Sequence, residues 1–415
     1  MTDVSNLSSR PLEGARVIEV SSWMFIPSGG SVLVDWGADV IKVEPADTGD
    51  PQRGLRTLGI VPGTSGSEGP NFMWEQPNRG KRSVGINLRH EDGREALLKL
   101  VETADVFLTN YLGAMRRRLR IDTEDLRERN PQLIIARGSG HGSKGPDADV
   151  GGYDGTSYWA RGGHGATARP GPDGYPIGQL GPAYGDVMGG MATAGAIAAA
   201  LYQRSVTGMP SIVDVSLLST AMWQMSPLLI AAKLHGMDRM PQGDRSKAPN
   251  PVVNTYRTSD GRFLIIILLQ ADRFWGELCE CIGRPDLITD PRFVDIKARA
   301  ENNELCISIL DEVFGSQPMS HWREALANFG GVWTPYQTLE ELYEDPQVIA
   351  NGYLPSMMAS SGDEMQLVAN PAQFNEQPVT VERAPEHGEH TEMVLLDAGF
   401  EWEEIAAMKE SGAIL

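Results

Sequence analysis

The chain has 415 residues, 41% hydrophobic and 22% charged, which is the balance of a folded globular protein and excludes a disordered or fibrous one. Acidic residues outnumber basic ones by 55 to 36, a formal charge of −19 that repels nucleic acid and anionic membrane surfaces, so neither is expected as a partner. Only Cys279, Cys281 and Cys306 carry thiols, without disulfide or zinc spacing; with an N-terminus lacking an apolar signal core, they predict a cytoplasmic protein.

In chain order, ARVIEV (15–20) and DVIKVE (39–44) read as strands flanking the apolar, glycine-rich IPSGGSVLVDWGA. RSVGINL (82–88), DVFLTN (105–110) and QLIIARGS (132–139) repeat the strand signal, with helical periodicity between them at 90–104 and 123–130. This alternation predicts an α/β fold with a Rossmann-like open, mostly parallel sheet. From 140 to 185 glycine, proline and aromatics dominate, and a helix is predicted over about 187–204. VMGGMATAGAIAAALY (187–202) is too short to span a bilayer and reads as a buried helix. A strand at 211–218 and a Met- and Leu-rich helical stretch to about 235 follow. Proline and charge in 239–251 break the pattern, and a smaller α/β domain follows. The expected division is 1–225 with 331–415 for the large domain and 226–330 for the small one.

Among the motifs, Asp186 stands at the predicted start of the apolar helix in YGDVMGG, as an N-cap or as an ionised, fixed carboxylate able to act as a nucleophile. Gly185, Gly189 and Gly190 around it are expected to leave room for a bulky ligand. RGKR (79–82) and RRRLR (116–120) are the basic clusters that an anionic ligand could meet in so acidic a chain. GHGSKG (140–145) matches the dinucleotide pattern, but a proline follows where a helix should open, so a dehydrogenase is disfavoured. His387 and His390 in EHGEH have no metalloprotease context, and no metal is assigned.

Taken in order, GADVIKVEPADTGDPQR, NRGKRSVGINL, LIIARGSGHGSKGP, GYDGTSYWARGG, YGDVMGGMATAGAIAAAL and GEHTEMVLLDAGF resemble the class III CoA-transferase family over nearly the whole chain. The resemblance implies coenzyme A, as acyl-CoA, for the cofactor, a free carboxylic acid as co-substrate, and an interlocked homodimer. It implies Asp186 as catalytic aspartate, passing the acyl group through a mixed anhydride and an aspartyl-CoA thioester, and Tyr153 as a second catalytic position. The related α-methylacyl-CoA racemases carry histidine at Tyr153, so racemisation is the alternative that this residue argues against. Cofactor contacts carried over are Met24, Lys81, Arg82, Asn110, Arg118 and Ser139. The glycine-rich lid of formyl-CoA transferases has no counterpart near 240–255, which points away from oxalate and formate, while PNPVVNTYRTSDG (249–261) and the aromatic loop Tyr153 to Trp159 look closer to members that handle larger aromatic or branched acids. Trp23, Phe25, Trp159 and Trp223 are candidates for lining such a pocket. A CoA-binding protein without catalysis would keep the basic clusters and tolerate loss of Asp186.

Overall fold

The computed structural model describes residues 10–56, 69–239 and 243–415; the N-terminal leader and part of the 239–251 loop lie outside the described residues. Six strands form one parallel sheet: β1 (Arg16–Val20), β2 (Asp39–Glu44), β3 (Arg82–Gly85), β4 (Val106–Thr109), β5 (Ile134–Ser139) and β6 (Ile212–Ser216). Their order is β3-β2-β1-β4-β5-β6, so the chain starts in the middle and reverses direction between β1 and β4. Helices α1 (Phe25–Asp35), α2 (Phe72–Asn78), α3 (Glu91–Val101), α4 (Gly113–Leu119), α5 (Thr123–Arg129), α6 (His164–Thr167) and α7 (Tyr184–Thr207) make the crossovers; α8 (Leu217–Gln224) and α9 (Ser226–His235) follow β6.

The strands read as continuous apolar runs because both faces of the sheet are covered. Neighbouring residues point to opposite sides: Ile18, Ile41, Phe107 and Ile135 join one core, while Val17, Val40, Val106 and Ile134 join the other. The first core is completed by the C-terminal helices Thr391–Asp397 and Trp402–Glu410, through Val394, Leu395 and Ile405. The tail also covers the β3 edge, with His390 N donating to Ser83 O (2.9 Å) and Leu415 N to Gly85 O (3.0 Å). His387 and His390 serve this docking: one ring Nε2 lies 2.9 Å from Pro45 O, and the other ring's Nδ1 accepts from Ser83 N at 3.2 Å.

The second core depends on a close crossing of α1 and α7. A Cβ on Gly189 would lie 2.5 Å from Phe25 Cε2, and one on Gly190 would lie 2.7 Å from Ser28 Cβ and 2.8 Å from the backbone N of Gly29. A Cβ on Gly185 would meet the Tyr158 ring at 2.2 Å. These glycines therefore leave room for protein rather than for ligand, which corrects the sequence-based expectation. The GHGSKG segment continues β5 into an irregular loop in which Gly142 N donates to Ser139 Oγ (2.9 Å), and no helix opens there, which removes the dinucleotide reading.

The chain divides into one unit of residues 1–240 with 346–415 and a second of 241–345, rather than at 226 and 330. The difference has a packing cause at each end. Helix α9 packs on α8, whose Leu217 and Ala221 belong to the α1/α7 core of the large unit, and Trp333–Pro335 supplies the third strand of the smaller sheet. That sheet, β7 (Val253–Arg257), β8 (Phe263–Ile267) and β9 (Trp333–Pro335), is antiparallel and packs on helices through Tyr256, Leu264, Trp275, Phe314 and Trp322. Among the described residues no helix is long and apolar enough to cross a membrane.

Gly190→Val is expected to lower the stability of the large unit by about 1–3 kcal/mol, read as a lower urea midpoint, because the added carbons must displace α1 backbone.

Candidate active site

In an open parallel sheet the crevice lies beyond the carboxyl ends of the strands where the order reverses, here between β1 and β4. The segment Ser21–Met24 leaves β1 at that point and is tied down residue by residue. Asn110, just past β4, clamps Ser22 from both sides, its Oδ1 accepting from Ser22 N (3.1 Å) and its Nδ2 donating to Ser22 O (2.6 Å). Asp50 Oδ1 accepts from Trp23 N (3.1 Å), and Lys42 donates to Ser21 O (3.1 Å). Met24 is buried against Met73 and Ala183.

Beneath this segment lies a closed cluster of charges. Lys42 Nζ lies 3.2 Å from Glu19 and 2.9 Å from Asp50, and Lys81 Nζ lies 2.8 Å from Glu19, with all four side chains shut off from solvent or nearly so. Burial pushes the Glu19 carboxyl up and the Lys42 ammonium down, but their partners more than reverse both, leaving Glu19 below and Lys42 above its usual range. Lys81 is pushed down to about 8, chiefly by burial, and remains cationic at neutral pH. Next to it, Arg53 stacks on Trp74 and binds both oxygens of Glu44 (2.8 and 2.7 Å); against the opposing effect of burial, it and Lys42 hold that carboxyl down at about 2.

Asp186 differs from its expected setting in two ways. Helix α7 begins three residues earlier than predicted, so the cap position is Ala183, in the left-handed region (φ +57°), and Asp186 lies in the first turn. The carboxylate that holds the helix start is Asp154: its Oδ1 accepts from Gly185 N (2.9 Å) and its Oδ2 from Gln179 Nε2 (3.0 Å). Asp186 itself accepts no hydrogen bond from the described residues. Burial, with the Asp154 charge second, pushes its carboxyl up to about 8, opposite to the low value expected of a capping carboxylate.

Asp154 opens a π-helical turn, Asp154–Ala160, immediately after Tyr153. The Tyr153 ring is 61% exposed and stands edge-on to Trp23, centroids 5.9 Å apart. The structure thus gathers Asp186, Asp154, Tyr153, Trp23 and Met24 around the start of α7. Asp154 was missed in the sequence because YDG reads as a turn; its partner Gly185 is 31 residues away.

The expected cofactor contacts separate. In RGKR, Arg79 pairs with Asp35 (3.0 and 2.7 Å), Arg82 with Asp39 (2.6 Å), and Lys81 donates to Glu19, Pro27 O and Asn78. Arg82 also opens β3 at the amino edge of the sheet, away from the crevice. These cations are engaged with the protein, and Asn110 likewise spends its amide on Ser22. Ser139 ends β5 with its hydroxyl accepting from Gly142 N. In RRRLR, Arg116 is held by Asp122 (3.0 Å) and Arg117 lies 3.3 Å from Asp149, while Arg118 is exposed and touches Met115 Sδ (3.1 Å). Arg118 lines a cavity of about 520 Å³ with Leu88, Arg89, Arg94 and Leu119, just beyond β3 and β4. Arg89 and Arg94 were not singled out in the sequence because each stands alone rather than in a run of basic residues. Phe25 and Trp159 are core residues, and Trp223 is 81% exposed.

Lys81→Met strands part of the Glu19 charge in the interior and is expected to cost roughly 3–5 kcal/mol in urea unfolding. An unchanged midpoint would mean that the cluster is not structural.

Comparison with known proteins gives this geometry a family. The model of CoA-transferase family III matches residues 12–391. The chain is 32% identical over 404 residues to (R)-2-hydroxy-4-methylpentanoate CoA-transferase of Clostridioides difficile, covering 97% of this chain and 99% of that one. It is 30% identical to cinnamoyl-CoA:phenyllactate CoA-transferase of Clostridium sporogenes, with 97% of each covered. A crystal structure of a CAIB/BAIF family protein from Brucella suis superposes with a TM-score of 0.77 at 29% identity, over 94% of this chain and 100% of that one. The chain belongs to CoA-transferase family III, enzymes that move CoA between acyl-CoA thioesters and carboxylic acids.

Proposed function

We propose that Asp186 is the nucleophile of this transfer and that the acceptor is a 2-hydroxy acid with a branched or aromatic side chain. The carrying observation is a carboxylate without hydrogen-bond partners among the described residues, in the first turn of a helix pinned by Asp154, beside the crevice of a parallel sheet. A carboxylate without hydrogen-bonded protein partners keeps its lone pairs for the substrate carbonyl. In the first step its oxygen adds to the donor thioester carbonyl and the C–S bond breaks, giving a mixed anhydride and CoA thiolate. The thiolate then attacks the aspartyl carbonyl, forming aspartyl-CoA and releasing the donor carboxylate. The acceptor carboxylate displaces the thiolate to form a second anhydride. Attack of the thiolate on its acyl carbonyl yields the new acyl-CoA and restores Asp186. Each step passes through a tetrahedral oxyanion, which fixed N–H dipoles stabilise.

The Arg89, Arg94 and Arg118 cavity suits the phosphates of CoA, whose negative charge the rest of this acidic chain would repel. The acceptor class is supported by the two relatives named for 2-hydroxy-4-methylpentanoate and phenyllactate. Racemisation is not favoured, since Tyr153 replaces the second acid/base and these relatives are transferases. A homodimer is supported by α9, whose SPLLIAAKLH buries no residue, beside an exposed Trp223. The unpaired thiols Cys279, Cys281 and Cys306 suit a reducing, cytoplasmic location.

Asp186→Ala is expected to abolish transfer between acyl-CoA and free acids followed by mass spectrometry; full activity would sink the nucleophile. Because only the ionised carboxylate attacks, kcat/KM should rise with a slope of about one below pH 8 and level off above it. Asp154→Asn keeps an acceptor for Gly185 N but removes the like charge, and should move that limb to lower pH. Arg118→Ala should raise KM for the CoA ester by roughly 10–100-fold, the loss of one charge-assisted contact to phosphate, with kcat little changed.

A further inference from the structure

We infer that Trp23 selects the side chain of the transferred acid, forming with Tyr153 an aromatic wall beside Asp186; the inference rests on the proposed role of Asp186. Trp23 has φ +69°, a left-handed conformation that a bulky side chain rarely adopts. Such outliers persist only where the surroundings over-determine them, and they collect at functional sites. Here the surroundings do so. Asp50 holds its N–H and is itself paired with Lys42 (2.9 Å); Asn110 holds both backbone groups of Ser22. On the other side, Met24 O accepts from Ser28 N (2.9 Å) and Ser28 Oγ (2.6 Å).

These anchors all fix backbone, and the side chain is left to face outward. The contrast with other tryptophans is direct. Trp36 Nε1 donates to Asn370 Oδ1, Trp74 Nε1 to Pro385 O and Trp159 Nε1 to Ile177 O, and all three rings are buried. Trp23 remains half-buried, its indole nitrogen hydrogen-bonds nothing among the described residues, and its ring contact is the exposed edge-on Tyr153. Tyr153 is fixed in turn, its N–H donating to Thr156 Oγ1 (2.9 Å). The pair is tied to the nucleophile from two directions. Tyr153 precedes Asp154, which binds Gly185 N next to Asp186, and Met24 packs on Ala183, three residues before Asp186.

A rigid apolar surface at this place meets the part of the acid that does not react. Branched and aromatic side chains gain contact area against it, while a methyl group gains little. The test measures kcat/KM for CoA transfer from one common donor to lactate, 2-hydroxy-4-methylpentanoate and phenyllactate, with wild type, Trp23→Ala, Trp23→Phe and Trp23→Gly. Wild type should prefer the two larger acids. Trp23→Ala should reduce that preference tenfold or more while lactate changes less than about threefold, and Trp23→Phe should retain most of it. Trp23→Gly should show the same loss of preference with a Tm no lower than that of Trp23→Ala, since glycine accepts the positive φ and keeps the test independent of folding. Equal losses on all three acids, an unaltered preference, or a wild type indifferent to side-chain size would overturn the assignment. Asp186→Ala on the same panel separates the two ideas: retained transfer removes the nucleophile, whereas the preference ratio alone judges Trp23.

Discussion

The site rests on four charges that cannot reach water. Glu19 and Lys42 sit on adjacent strands in the middle of the sheet, and Lys81 and Asp50 close the cluster from above. Each is expensive to bury alone, and together they balance, two against two, with hydrogen bonds to Ser21 O, Pro27 O and Asn78 Oδ1 using the remaining ammonium protons. The consequence is geometric. Removing any member leaves an uncompensated charge, so β1, β2, α1 and α2 are locked in one arrangement, and with them the segment that carries Trp23. Gly30 shows how little slack exists: a Cβ there would lie 1.9 Å from Glu19 Oε2.

A second constraint acts on the other side of the crevice. Helix α7 can press against α1 only because Gly29, Gly189 and Gly190 have no side chains, and that contact sets where its first turn emerges. Asp154 then completes the helix start in place of a local cap. This division of labour matters chemically. Burial raises the Asp154 carboxyl too, but its oxygens accept from Gly185 N and Gln179 Nε2, which favour the anion, whereas Asp186 accepts no hydrogen bond from the described residues and bears the cost of burial beside a like charge. The same carboxyl type thus meets two different settings at neighbouring points, one bonded to the helix start and one left without protein donors among the described residues.

Much of the fold was legible in the sequence. DVIKVE, DVFLTN and QLIIARGS became β2, β4 and β5 within two residues of the expected bounds. Apolar runs without alternation meant a sheet covered on both faces, because alternate residues fed two cores. The errors fell where the relevant partner is distant in sequence. The start of α7 was placed late since its cap comes from Asp154, and the small unit was ended early since Trp333–Pro335 pairs back with β8.

The sequence by itself determined the layered α/β architecture, the family, and Asp186 as the residue to watch, because strand and helix periodicity, glycine placement and ordered motifs are all local in the chain. What each charge is for was decided only by tertiary structure. RGKR and RRRLR look alike as text, yet the first is consumed by Asp35, Glu19 and Asp39 from other strands and helices, while Arg118 of the second opens onto a cavity with Arg89 and Arg94. An ammonium or guanidinium pairs with whichever carboxylate the fold brings within about 3 Å, and the dielectric around that pair sets what it is worth. Neither the partner nor the dielectric is a property of the residue's own neighbourhood in the chain.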